Sequence, residues 1–179
     1  MGAKGEIYGI NGPVVEVVGE GSFSMLERVS IGTLGLIGEV IGLQPDKTIV
    51  QAYESTTGVM PGEPVTGSGS PMLAALGPGI IGNIFDGIQR PLRTLAQKDG
   101  AYIGRGVAAE PLDTEKAYEV EVFAKTGARA EAGQIIAQTP ETPLIMHKIM
   151  VPPGVSGTVT FAAESGTYTI DDVLARVTD

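Results

Sequence analysis

Turn residues cut the first third of the chain into short apolar runs, and that punctuation limits the fold more than any other feature. Gly5 to Ile10, Val14 to Val18, Met25 to Ile31, Leu36 to Leu43 and Thr48 to Tyr53 are each rich in Val, Ile or Leu. Between them stand Asn11-Gly12-Pro13, Gly19-Glu20-Gly21, Gly32 and Gln44-Pro45-Asp46, all turn chemistry. Val59-Met60-Pro61-Gly62-Glu63-Pro64-Val65 adds a tight turn before one more strand. Five or six short strands with such turns predict a small closed barrel.

With 26 Gly and 12 Pro the whole chain is turn-rich, yet 42% of it is hydrophobic and no segment is a monotonous polar tract. Disorder and collagen are both excluded on that ground. After a linker comes one convincing helix, Pro91 to Lys98, with Pro91 in its first turn and Gly100 just past its end. From Ala117 the pattern is strand-like again and repeats faintly: Val120, Val122, Gly127 and Ile135 recur at one constant offset as Val159, Phe161, Gly166 and Leu174. Two similar halves flanking Leu144 to Pro153 are expected to pack as a flattened sandwich of two short sheets, each half burying the other's apolar face, with the glycines at turns. The fold class is therefore mainly β: a small N-terminal β-barrel, a linker with one short helix, and a second β-sandwich-like domain.

The charge narrows the partners. A net charge of −9 repels nucleic acid and an anionic membrane surface. No thiolate metal site, thiol nucleophile or disulfide is available to a chain without cysteine, and a reducing compartment fits. The N-terminus has no apolar core of signal-peptide type, so the expected location is cytoplasmic. The longest uncharged run, Pro64 to Phe85, holds three prolines and five glycines and reads as loop and strand, not as a membrane span.

Motifs for chemistry are weak. Gly77-Pro78-Gly79-Ile80-Ile81-Gly82 matches a dinucleotide fingerprint, with Asp99 at a tolerable distance for a ribose contact, but Gly87 and Pro91 interrupt any helix beginning at Gly79. These are expected to be turn glycines. His147 is the only histidine, so no His-pair metal site or catalytic triad can be drawn within the chain. Glu54, Glu63, Asp86, Glu110 and Asp171-Asp172 are scattered among turns and read as solvated surface. No glycine is followed by lysine, so no GxxxxGK[ST] phosphate loop occurs. Lys148 lies near the midpoint of the two repeat halves with methionines two positions away on either side, as in a biotinyl or lipoyl carrier domain. The apolar run Leu144 to Val151 instead places it within a strand, its stem on the surface. No catalytic, cofactor-binding or metal residue is assigned.

Several stretches, taken in order, resemble the N-terminal part of the catalytic A subunits of V-type and archaeal A-type rotary ATPases. They are Gly5-Glu6-Ile7 through Val15, Ile31 to Ile41, Gln51 to Val65, Leu76 to Ile81 with Ile84 to Leu92, and His147-Lys148-Ile149-Met150-Val151-Pro152-Pro153-Gly154. The resemblance implies a barrel over 1–70 that joins a crown in a hexamer where it alternates with B subunits. It makes 71–110 a linker and the entry to a nucleotide domain, with Asp86 to Leu92 as that entry. Residues 111–179 would be a β-rich insertion, a barrel-sandwich hybrid that bulges toward the peripheral stalk.

The family's phosphate loop, catalytic glutamate and helical domain are not among these residues. ATP and magnesium are therefore expected of the longer parent protein, and the sequence is expected to be a truncated piece of it, attached to a membrane only through the complex. Two rival readings stay open: a carrier domain using Lys148, and a free-standing β-rich adaptor. Proton versus sodium coupling and the direction of ATP chemistry are not encoded in these residues.

Overall fold

The computed structural model describes residues 2–19, 21–100 and 103–178. The chain divides into two compact units: Met1–Ala74 with Thr94–Ala109, and Ala75–Arg93 with Glu110–Asp179.

In the first unit six strands close into a barrel: β1 (Lys4–Asn11), β2 (Val14–Val18), β3 (Glu27–Ile31), β4 (Leu36–Leu43), β5 (Thr48–Ala52) and β6 (Pro64–Pro71), in the order β1-β2-β5-β4-β3-β6. Every neighbouring pair is antiparallel. The period-2 pattern decides which way each strand faces. Along β4, Leu36, Gly38 and Val40 turn inward, while Ile41 and Leu43 are exposed. Ile7, Val15, Val17, Val29, Ile31, Val50 and Val65 fill the rest of one core. Gly38 leaves room that no side chain can use, because a Cβ there would lie 2.7 Å from the Gln51 carbonyl oxygen. The turn before β6 is tied to β1 through Ile7 N–H to the Glu63 carbonyl (2.9 Å) and Gly62 N–H to the Ile7 carbonyl (2.8 Å).

One strand boundary departs from the sequence pattern. The run Met25 to Ile31 enters the sheet only at Glu27, because Ser24 to Glu27 is a turn closed by Glu27 N–H to the Ser24 carbonyl at 3.2 Å. Leu26 within it has φ 63, which no strand residue adopts. The helix α1 (Leu92–Asp99) buries Leu95 and ends where Gly100 takes φ 78 and donates its N–H to the Ala96 carbonyl. No helix among the described residues is long and apolar enough to cross a membrane.

The second unit holds β7 (Tyr118–Val122), β8 (Arg129–Ala130), β9 (Ile135–Thr142), β10 (Ile145–Met150), β11 (Gly157–Ala162), β12 (Gly166–Tyr168) and β13 (Ala175–Thr178). One sheet runs β10-β9-β7-β12 and the other β13-β11-β8. The internal repeat is real at the level of topology, but its halves do not form one sheet each. The first half supplies β7, β8 and β9, the second β11, β12 and β13; β7 pairs with β9 and with β12, and correspondingly β11 pairs with β13 and with β8. Each half thus lends its short middle strand to the other's sheet, and β10 is an addition outside the symmetry. Each crossed strand is an edge with one partner, β12 beside β7 and β8 beside β11.

Two further details correct the simple repeat. Gly127 is a turn glycine with φ 85, whereas its repeat mate Gly166 lies in β12 opposite Val120. The apolar end of the chain has a partner as well: β13 pairs with β11 and leaves only its outer side as a sheet edge. Two small clusters form the interior. Tyr118, Val120 and Ala137 make one, and Ala130, Val151 and Val159 the other.

Candidate functional site

Acidic residues that read as scattered solvated surface turn out, in several cases, to hold backbone in place. Glu63 accepts hydrogen bonds from Thr33 N–H (2.7 Å), Thr33 Oγ1 (3.0 Å) and Met60 N–H (2.8 Å). The backbone N–H groups of Thr33 and Met60 hold its carboxyl below the usual range. Asp86 accepts from Ile88 N–H (3.1 Å), Arg90 N–H (2.8 Å) and Arg90 Nε (2.7 Å). Burial alone would raise its pKa, but the Arg90 backbone and guanidinium outweigh that and hold it low. Gln89, in the same turn, has φ 63, and its amide both accepts from Ala75 N–H and donates to the Ala75 carbonyl at 2.7 Å. The segment expected to lead toward a nucleotide domain is thus a locked turn.

The glycine-rich loop is held by a residue the sequence did not single out. Glu141 is the extra residue of a β-bulge: Met146 pairs with Pro140 and Ile145 with Thr142, leaving Glu141 between them. Pro140 has no N–H to give to the ladder, which favours a bulge there. Glu141 Oε1 accepts from Gly79 N–H (3.0 Å) and Ile81 N–H (2.9 Å), and Oε2 lies 3.2 Å from His147 Nδ1. Burial would raise the Glu141 pKa, yet the Ile81 and Gly79 N–H groups and His147 together hold it low. Tyr118 Oη donates to the Pro78 carbonyl at 3.0 Å. A phosphate in this loop would have to displace the Glu141 carboxylate from the Gly79 and Ile81 N–H groups.

Among the described residues of the barrel, Glu27 is the buried acidic side chain. Its carboxylate accepts from Ser24 N–H and Gly69 N–H, both at 2.8 Å, and a Cβ on Gly67 would overlap it. The signal for such a contact was present in β6, where Gly67 and Gly69 stand two apart within a strand. For Glu141 the only hint was Pro140. The barrel exposes Met25, Leu26, Ile41, Leu43, Tyr8, Leu34 and Met60. In the second unit Leu76, Ile84 and, at the tip of the β9–β10 hairpin, Leu144 are the most exposed apolar side chains, Leu144 at 94%.

Lys148 lies within β10 opposite Gln138, exposed but away from the Pro143–Leu144 hairpin tip, where a carrier lysine would have to stand. Asp99, at the end of α1, accepts the Gly104 N–H, and Glu54 accepts the Gly106 N–H at 3.0 Å. Asp172 accepts from Thr169 N–H and Oγ1, while Glu110 and Asp171 are exposed. Among the described residues no cluster of three or more His, Asp or Glu is arranged to hold a metal ion. The geometry is that of loops braced by carboxylates, with apolar side chains displayed on the braced segments.

Comparison with known proteins follows the same division. Residues 7–69 match the family model of the ATP synthase alpha/beta family β-barrel domain, and residues 109–179 match that of the barrel-sandwich domain of ATP synthase alpha/beta subunits. The V-type ATP synthase alpha chain of Halothermothrix orenii is 48% identical over 179 residues, all of this chain and 30% of that protein. The A-type ATP synthase A subunit of Pyrococcus horikoshii is 48% identical over 99% of this chain and 18% of its own length. That of Methanopyrus kandleri is 47% identical over 98% of this chain and 30% of its own length. The chain therefore spans less than a third of each of these relatives.

Proposed function

Because the chain belongs to the ATP synthase alpha/beta family, as the N-terminal portion of a V/A-type A subunit, we propose that it is an assembly module of a rotary ATP synthase. In this reading the barrel packs beside the barrels of B subunits in an alternating ring, and the barrel-sandwich domain meets the peripheral stalk. ATP is made or hydrolysed by other parts of the parent complex.

The observation that carries the reading is the closed barrel. Every strand is paired on both sides, so the barrel cannot add strands from a neighbour and must associate through side chains. It displays apolar ones on its outer surface. A ring of such barrels can hold its members together while domains elsewhere change shape. The braced carboxylates support the same role, since they keep the displayed loops from rearranging.

Titration calorimetry of the purified chain with magnesium ATP is the test for the division of labour. No saturable heat is expected. Saturable micromolar binding would overturn the proposal, because a nucleotide site would then reside in these residues.

A further inference from the structure

Gln89 occupies backbone that its hairpin would ordinarily give to glycine. Ile84 and Phe85 are tied to Pro91 and Leu92 by the Phe85–Pro91 bridge and by Leu92 N–H to the Ile84 carbonyl at 2.9 Å. Asp86 N–H to the Arg90 carbonyl, at 3.1 Å, closes this hairpin around the loop Gly87-Ile88-Gln89. In a loop of that length the last residue commonly turns left-handed and is usually Gly. Here it is Gln89, at φ 63, while Gly87 is not left-handed. A side chain of this size in such backbone is strained, and something must hold it there. The hold is the side-chain amide, which accepts the Ala75 N–H and donates to the Ala75 carbonyl, both at 2.7 Å. Glycine would relieve the strain and lose both bonds.

We propose that this hairpin is a strained buckle on the chain between the barrel and the second unit, closed by the Gln89 amide and able to open on its own. Its position sets what it fastens. Ala75 is the first residue of the second unit after the barrel, and the other side of the hairpin runs through Leu92 into α1 and on to Thr94–Ala109 of the first unit. The outgoing and returning passages of the chain thus meet at one clamp. Asp86 holds the loop from within, accepting Ile88 N–H at 3.1 Å and Arg90 N–H at 2.8 Å, so the hairpin itself survives when the clamp lets go. The strain is opposed by the side-chain bonds to Ala75, and breaking them unpairs no strand. The outgoing passage then shifts while the barrel stays closed and Glu141 keeps its hold on the glycine-rich loop. The buckle belongs to this chain alone and does not depend on assembly into a ring.

Native-state hydrogen exchange of the full chain, with thermal unfolding beside it, reads the opening. In wild type the Ala75 amide is expected to exchange by a local opening, its protection about tenfold or more below that of the β9 amides and nearly independent of denaturant. Gln89→Gly should lower Ala75 protection by about another tenfold while leaving the Arg90 amide as it was. Gln89→Ala loses the same bonds but keeps the strain, so it should expose Ala75 equally and melt below the Gly variant. Ala75 protection equal to that of β9 in wild type would overturn the local opening. Unchanged Ala75 protection in both variants would overturn the clamp, and equal melting of the two variants would overturn the strain.

Discussion

Glu141 Oε2 and His147 Nδ1 face each other at 3.2 Å across the β9–β10 hairpin, and the Glu141 side chain is only 4% exposed. The other carboxylate oxygen holds the Gly79 and Ile81 N–H groups, so one buried side chain joins the hairpin to the glycine-rich loop. That placement makes it the most testable brace in the second unit.

Glu141→Ala should release both amides at once. Water can reach part of the exposed loop, so the expected loss is about 1–2 kcal/mol, with Glu141→Gln in between. Hydrogen exchange localises the effect: the Gly79 and Ile81 amides should lose protection while those of β7 and β9 keep it. Unchanged exchange at the two loop amides would show that the bonds do not form in solution.

The pH dependence has a definite sign. A carboxyl group whose folded pKa is depressed binds its proton less readily folded than unfolded. It therefore adds stability above the ordinary carboxylate range and loses it as pH falls through the depressed value. Glu141 and Asp86 are both depressed in this way. Denaturant titrations at successively lower pH should show the second unit weakening below about pH 4, where free carboxylates protonate. Glu141→Gln should flatten that acid limb; an unaltered limb would assign it elsewhere.

Gly38→Ala tests the closure of the barrel. The added methyl would meet the Gln51 carbonyl oxygen at 2.7 Å and Ile31 Cδ1 at 2.6 Å, and the carbonyl is backbone that cannot rotate aside. A loss of about 1–3 kcal/mol is expected from the overpacking. Retention of the wild-type melting midpoint would mean that β4 and β5 lie farther apart than the structure places them.

Lys148 offers a contrasting prediction. Exposed in the middle of β10, it should be replaceable by Ala within ~0.5 kcal/mol. Co-expression with a biotin or lipoyl ligase should leave the intact mass unchanged. A prosthetic-group mass addition at Lys148 would revive the carrier reading.

Much of the fold was legible because it is written in short-range chemistry. Val14 to Val18 and Leu36 to Leu43 are strands at the residues their composition marks, since each lies between turns that only Gly, Pro or Asn make cheaply. The helix is displaced by a single residue from the position Pro91 and Gly100 suggest. What stayed hidden depends on contacts distant in sequence. Met25 and Leu26 look like strand residues until Glu27 is known to reach Gly69, 42 residues on. The crossing of β8 and β12 into each other's sheets leaves no mark on local periodicity, because the same alternation suits either sheet. Glu141 resembled any surface acid, and its role depends on a bulge and on a loop 60 residues upstream.

The exchange of strands between the halves of the second unit also sets a timetable. Gly166, which pairs with Val120, follows it by a stretch of chain that synthesis at ~5–20 residues per second takes roughly 2–9 s to deliver. Throughout that interval β7 waits with an edge bare, although the barrel's six strands have all been made by then. The barrel has a wait of the same kind, since Gly5 of β1 pairs with Val65 of β6 near the barrel's end, so a chaperone that shields nascent strands would find a bare edge first in one unit and then in the other.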